Sequence, residues 1–514
     1  MTLPVDADPV DPRSLPLFES RARQTSAGSE MLPGPRRPGR VRSGFTLHVL
    51  DADTSIPPAD SGPGAAASID WGLVAAFRSQ ASEQLTKALA DDRNRMERAA
   101  QEALGRAIIL ELLEAAAAEA VTSGNPSSTL AEQDGLATAV FNALFRMGRL
   151  QPLVEDDRIE NIVITGFDRV WLELQDGTLI PGPPVADSDE ELIDFLVFLA
   201  SRSEVNARPF SQAQPRLHLR LDDGSRLAAT AWVNPRPSVV IRRHRLTRVS
   251  LDDLVARGSL TPVAASFLTA AVRARLSVVV SGAQGFGKTT MARALCGAFD
   301  PMEAIATFET EYELGLHEMP DRHAIVHAWE ARIGSGERGP DGKMAGEFSI
   351  AEALYDSFRF NVSRQIVGEI RGPEVWPMIK AMESGSGSIS TTHAGDAEAA
   401  MRKLITCAME SGPQVTYELA ARKLADTIDL IVQLDMDTDQ ARDGTRRRRR
   451  WVSQIVAITP GEKEKGYAAT TIFASRNTRV AVAHTLPDEL RKLERHGFDL
   501  AGFLTEACQY GAGS

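Results

Sequence analysis

Cysteine is scarce in this chain. Three residues, Cys296, Cys407 and Cys508, are spread across 514 positions and form neither a C-x-x-C pair nor an even disulfide framework. A disulfide-stapled secreted scaffold is excluded on that count, a reducing cytoplasm is the expected compartment, and no metal site is suggested. Long apolar runs are missing as well: nothing approaches the roughly 18 uninterrupted apolar residues of a membrane-spanning helix, so no transmembrane segment is expected. The opening stretch MTLPVDADPVDPRSLPLF places acids and prolines where a signal peptide needs a basic start and an apolar middle. Positive charge is in deficit, with a net charge of −12, which argues against coating nucleic acid through bulk charge; no direct nucleic-acid contact is expected. Lysine is rare even among the basic residues, nine of 57, a skew that reads as coding bias before binding signal.

What is present points to two or three domains. Residues 1–70 are rich in Pro, Gly, Ser and Ala, as in PGPRRPGR and PPADSGPGAAAS, and are expected to be disordered. From Trp71 to about residue 150, apolar residues recur three and four apart on strong helix formers, and the last of these helices is expected over 134–149. Over 151–245 the pattern becomes a compact α+β domain. IENIVITG and RVWLELQDG read as short strands, SDEELIDFLVFLASRS as a helix opened by a Ser188/Glu191 capping box, and RLHLRLDDGSRLAATAWV as two strands around an Asp-Gly turn, with PSVVIRR as a third. Residues 246–262 read as a connection. Beyond it, over 263–480, the apolar runs LSVVVSG, AIATFE, RQIVGE, GSISTTH and DLIVQL alternate with helices, the mark of a mostly parallel sheet covered on both faces. WVSQIVAIT and AATTIFA read as late strands of the same domain, and 481–514 as a polar helical tail.

The stretch GAQGFGKTT, residues 282–290, satisfies G-x-x-x-x-G-K-[ST] through Gly282, Gly287, Lys288 and Thr289. A buried-strand candidate, LSVVVS, precedes it and a helix candidate, TTMARALCGAF, follows, so the backbone N–H groups of Ala283, Gln284, Gly285, Phe286 and Thr290 belong to a cradle at a helix N-terminus. The alternative, a Gly-rich turn that binds nothing, does not account for the acids that follow. AIATFETEYEL ends on Glu309 and continues to Glu311 and Glu313, and RQIVGEIRG carries Glu369, so two strand ends offer an acid to a metal-bound phosphate. Phe286 is the unusual member of the loop. Its backbone still supplies an N–H, and its ring is expected to turn away against an adjoining domain or subunit.

The order of GAQGFGKTT, FETEYEL (308–314), IVGEIRG (366–372) and GSISTTHA (387–394) resembles the type II/type IV secretion ATPase superfamily, and is most similar to its CpaF/TadA branch, which drives pilus assembly. RLQPLVEDDRIENIVITGFDRVWLE, RLDDGSRLAA and VVIRRH resemble that family's N-terminal domain, so the likeness spans about residues 140–470. The resemblance implies an α/β fold: a RecA-like P-loop NTPase domain preceded by a smaller α+β domain and N-terminal helices. It implies ATP and Mg2+ as ligands. Lys288 would contact the β- and γ-phosphates, and Thr289 the Mg2+. Glu309 would orient or deprotonate the attacking water with Glu313 assisting, Glu369 would hold Mg2+ through water, and His393 would sit beside the γ-phosphate. Arg226, with Arg242 or Arg243, would reach the phosphates from the smaller domain. It further implies a homo-hexameric ring working at the cytoplasmic face of the membrane through inner-membrane pilus or secretion platform proteins.

The sequence departs from the family's pattern at three places: Thr310 stands where an Asp is usual, Gly385 where a histidine is usual, and Phe286 where a small residue is usual. Two alternatives therefore stand beside the motor: a nucleotide-binding scaffold with weak hydrolysis, and a DNA-translocating or DNA-uptake ATPase of the same superfamily. The run Arg446–Arg450 reads as a solvated hairpin tip, residues 331–349 as a mobile insert, with Glu330 just before it and Arg332 within it resembling a family Glu-x-Arg pair, and His218, His244, His323 and His327 as ordinary surface or strand residues without metal spacing.

Overall fold

Alanine, leucine and glutamate dominate the stretch between Trp71 and Phe145, and three helices form there: α1 (Trp71–Ala90), α2 (Arg98–Thr122) and α3 (Leu130–Phe145). Their inner faces meet around Val74, Ile109, Val140 and Phe141. The last helix is displaced from the expected 134–149. Thr129 and Glu132 close a reciprocal capping box at its start, and Arg146 leaves helical geometry at its end, with φ −126° and ψ −145°. The computed structural model describes residues 69–90, 96–123, 129–202, 210–243, 248–332, 334–340, 342–440, 446–461, 465–476 and 478–511. The tail expected to be disordered therefore lies outside the described residues up to position 68, and so does His244.

The next elements are α4 (Gln151–Glu155), β1 (Ile159–Thr165), β2 (Arg169–Leu174), β3 (Leu179–Pro181), α5 (Asp189–Arg202), β4 (Arg216–Arg220), β5 (Arg226–Thr230) and β6 (Ser238–Arg242). Their strands form one antiparallel sheet in the order β3-β2-β1-β6-β5-β4. Ile162, Ile164, Leu227 and Ile241 turn inward from it to meet Leu192 and Leu196 of α5. At the start of α5, Ser188 Oγ accepts the Glu191 N–H at 3.2 Å. The Glu191 carboxylate reaches one residue further back than a capping box would, to the Asp187 N–H at 2.6 Å. Arg226 and Arg242 are register partners on adjacent strands, which puts both side chains on one face.

The larger α/β region contains α6 (Leu251–Ala256), α7 (Pro262–Arg273), β7 (Val278–Ser281), α8 (Lys288–Cys296), β8 (Ala304–Glu309), β9 (Ile325–Glu330), β10 (Ser335–Arg338), β11 (Met344–Ala345), α9 (Ile350–Ser357), β12 (Arg364–Val367), β13 (Glu369–Ile370), α10 (Val375–Glu383), β14 (Ile389–Thr392), α11 (Ala397–Met409), α12 (Tyr417–Thr427), β15 (Leu430–Gln440), β16 (Arg446–Pro460), β17 (Tyr467–Ala474), β18 (Val482–Ala483) and α13 (Leu500–Gly511). β13-β14-β7-β15 run parallel, and β16-β17-β18 extend the sheet antiparallel. β12-β8-β9 form a second parallel set. β12 and β13 are successive parts of one extended run broken at Gly368. The Gly368 N–H bonds Phe308 O at 2.9 Å and its carbonyl accepts from Thr391 N–H at 2.8 Å, so the run passes from β8 to β14.

All four residues of β7 are buried, as expected for a strand covered on both faces. Val278 and Val280 belong to one hydrophobic cluster and Val279 to the other. The segment read as a connection contributes Val249, Leu251, Leu254 and Leu260 to the first cluster. The segment read as a polar tail contributes Phe498 and Phe503, packed against Phe267 and Phe473. His323 is also not a surface residue: it is buried edge-on to Phe299, and burial holds its pKa below the usual histidine value. The insert expected as a mobile loop carries the β10–β11 hairpin, closed at its base by backbone bonds between Arg332 and Phe348.

Candidate nucleotide site

The loop between β7 and α8 turns through two glycines in the left-handed region, Gly285 at φ +80° and Gly287 at φ +88°, where a side chain would be strained. α8 then begins at Lys288, with Gly287 at its N-cap, so the unsatisfied N–H groups of the first turn face the loop. Phe286, expected to turn its ring away, packs it partly buried against the core of this same region.

Two relays of polar side chains leave this loop. In the first, Lys288 Nζ donates to Ala283 O at 3.0 Å and lies 3.0 Å from His393 Nδ1. His393 Nε2 is 2.5 Å from Glu369 Oε1, and Arg371 Nη2 donates to Glu369 Oε2 at 2.5 Å. An ammonium on Nδ1 and a carboxylate on Nε2 select the imidazole tautomer with its proton on Nε2. Burial pushes Lys288 down to about 8. Burial alone would raise Glu369, but the bonds from His393 and Arg371 outweigh it and hold the carboxyl well below the usual glutamate range.

In the second relay, Thr289 Oγ1 donates to Glu313 Oε2 at 2.7 Å, and the other Glu313 oxygen takes Arg226 of the smaller domain. Arg226 also donates to Glu311 O at 3.0 Å. Glu309, 2% exposed, accepts the N–H groups of Glu313 and Leu314 on Oε2 at 2.7 and 2.9 Å, while its buried Oε1 has no hydrogen-bond partner. Burial pushes Glu309 up to about 7 despite those two bonds. Arg293 pins the same turn from below, donating to the carbonyls of Glu313 and Leu314. Glu330 accepts the Tyr312 N–H at 3.0 Å.

The relays meet at a small cavity lined by Thr289, Glu309, Thr310, Glu313, Glu369 and Thr391. Its donor set is hydroxyls and carboxylates, hard oxygens of the kind Mg2+ takes, and Glu309, with one buried oxygen unpartnered, is among its lining residues. Among the described residues no group of three or more His, Cys, Asp or Glu is placed to hold a metal ion by itself.

The arginines separate. Arg242 lies close enough to Lys288 to lower its pKa, on the same face as Arg226. Arg243 is the correction: next along the strand, it turns to the opposite side, where it binds Asp156 O and pairs with Asp157 at 3.4 Å, away from the loop. Two residues had no role in the sequence reading. Arg371 lies inside the quoted IVGEIRG box, and Arg293 is a buried arginine on an otherwise apolar helix face, a pattern that signals a fixed partner.

A family model for Type II/IV secretion system proteins matches residues 191–491. Among curated proteins, the chain is 29% identical over 275 residues to a putative conjugal transfer protein of Mycobacterium tuberculosis, covering 50% of this chain and 72% of that one. It is 26% identical over 355 residues to the type IV secretion system protein VirB11 of Brucella suis, covering 63% of this chain and 93% of that one. Among solved structures it is similar to the Legionella pneumophila ATPase DotB, at 18% identity and a TM-score of 0.42, over 60% of this chain and 80% of that one. The family model spans more than half of the 514 residues, and the chain belongs to the Type II/IV secretion system proteins as one of their ATP-hydrolysing members.

Proposed function

We propose that the protein is the ATP-driven motor of a secretion or Tad-type pilus assembly system, a hexameric ring that moves membrane-embedded assembly proteins from the cytoplasmic face. The observation that carries this reading is the meeting of both relays at one cavity, with Arg226 of a second domain bonded to Glu313 in its lining. Among the described residues no helix is long and apolar enough to cross a membrane, so contact with the membrane runs through partners in this reading.

The chemistry follows from the side chains. Lys288 and the loop N–H groups bind the β- and γ-phosphates, and the bonds Lys288 makes to Ala283 and His393 mark where those oxygens take over. Thr289 and, through water, Glu369 would hold Mg2+, which would supply charge neutralisation on the transferring phosphoryl group. Glu309 receives the proton of the attacking water as that oxygen bonds to the γ-phosphorus and the bond to the β–γ bridging oxygen breaks. A carboxyl near pKa 7 suits that task at neutral pH. Glu313 links Thr289 to Arg226, and Arg226 with Arg242 offsets charge on the phosphates from the smaller domain. Glu313 bridges Thr289 and Arg226, so a shift of Glu313 when the site fills is passed to the seat of the smaller domain. Changing Lys288→Ala is expected to abolish ATPase activity of the purified protein; turnover at the wild-type rate would refute the assignment. The relatives of Mycobacterium tuberculosis, putative conjugal transfer proteins by name, favour a transfer system as the second reading; if it is a DNA-translocating ATPase, salt-dependent DNA affinity separates it from the pilus reading.

A further inference from the structure

The arginine run is a solvated hairpin tip only in part: Arg446, Arg447 and Arg449 are exposed, whereas Arg448 and Arg450 are partly buried. Arg446–Arg450 open β16 in register with Met436–Gln440 of β15, and positions 441–445 lie outside the described residues. Alternation along the strand sends Arg449 to Asp439 at 3.0 Å on one face. On the other, Arg448 and Arg450 meet the smaller domain. Arg448 Nη2 donates to Glu173 Oε1 at 2.5 Å, and Asn161 Nδ2 holds the other Glu173 oxygen at 2.6 Å. Arg450 has two partners on two different domains: Nη2 donates to Glu160 Oε1 at 2.8 Å on β1, and Nε donates to Gly285 O at 2.8 Å within the phosphate loop.

A trans peptide is planar, with its C=O and N–H pointing in opposite directions, so a clamp on the Gly285 carbonyl also aims the Phe286 N–H. That N–H points to Ala283 O at 3.4 Å, a long bond, and Lys288 Nζ points to the same oxygen at 3.0 Å. The amide and the ammonium thus converge on one place inside the loop, where a phosphate oxygen can replace the carbonyl for both. Gly285 and Gly287, both at positive φ, leave this peptide free to rotate unless something outside the loop holds it.

We infer that Arg450 is a positioning residue, which clamps the Gly285–Phe286 peptide so that its N–H faces the phosphate and ties that clamp to Glu160 of the smaller domain. The guanidinium fork suits this because it holds two acceptors at fixed angles. When the smaller domain moves, the anchor at Glu160 moves with it, and the aim of one phosphate donor changes. The inference rests on the nucleotide reading of this loop.

The test is isothermal titration of ATP with Mg2+ into the full chain and its variants, alongside steady-state turnover. R450Q is expected to bind ATP about tenfold more weakly, the loss of roughly one charge-assisted hydrogen bond, with kcat at saturating ATP within about threefold of wild type. E160Q is expected to weaken binding in the same direction, and R450Q/E160Q to be no weaker than R450Q alone, since both changes break one relay. R450K is expected to follow R450Q because a single ammonium does not reproduce the fork, and R447Q to match wild type. Unchanged affinity in R450Q, additive losses in the double variant, or rescue by R450K would each overturn the clamp. Should R450Q not fold, E160Q and R450K make the same comparison. Wild-type protein that binds no ATP would sink the nucleotide reading itself, whereas wild-type binding with an indifferent R450Q removes only the role of Arg450.

Discussion

Glu309 and Glu369 stand at the ends of neighbouring strands on either side of one cavity, yet their surroundings drive their protons in opposite directions. Glu309 is buried, bonded only by two backbone N–H groups, and pushed up to about 7. Glu369 is only partly buried, and His393 and Arg371 keep it ionised. Two carboxyls pushed apart in this way divide the work: one can take up a proton near neutral pH, and the other is a permanent anion suited to a metal shell. Gly368 makes the arrangement possible. A Cβ there would lie 3.1 Å from Glu309 Cγ, so a side chain between the two acids would press on the one that must stay free.

The largest test of this contrast is Glu309→Gln. It is expected to lower turnover about a thousandfold while ATP binding survives, because it removes a proton acceptor and leaves the phosphate cradle intact. Equal losses in affinity and turnover would make Glu309 a structural strut. The pH profile comes next. Only ionised Glu309 accepts a proton, so kcat/KM rises as pH climbs through about 7; only protonated Lys288 serves the phosphates, so it falls above about 8. A bell with its maximum between the two is expected, and Glu309→Gln loses the rising limb. Glu369→Gln is expected to raise the Mg2+ concentration for half-maximal activity about tenfold with a smaller change in kcat, read from Mg2+ titrations of turnover. The smallest effect is expected from Phe286→Ser. Affinity and turnover stay within about threefold, since its backbone does the binding, while thermal unfolding shifts down by the equivalent of about 1–2 kcal/mol for the lost partial burial.

Much of the fold was legible before any coordinates. The valines of β7, the glycines of the loop and the acids at the strand ends carry their roles in residue type and spacing, because a parallel strand must be apolar and a phosphate cradle must bend at positive φ. Other readings failed for identifiable reasons. The choice between Arg242 and Arg243 depends on strand phase, which the doublet itself does not reveal. The segment 481–514 reads as polar because charged residues crowd 488–496, yet the rings of Phe498 and Phe503 land beside Phe267 and Phe473. His323 reads as a surface or strand residue, yet it is buried with Phe299, distant in sequence, edge-on against it.

The same division explains the arginine run. Local sequence determined that this stretch is basic and belongs to a strand-turn-strand, and it determined the loop, the helix that follows it and the family. Only the tertiary structure decided that Arg450 reaches from its hairpin to Gly285 and Glu160, 165 and 290 positions away along the chain. The physical reason is range. Backbone conformation and burial pattern are set by residues within a few positions of one another, whereas a charge finds its partner only after the sheet has closed and placed three distant segments within hydrogen-bond distance.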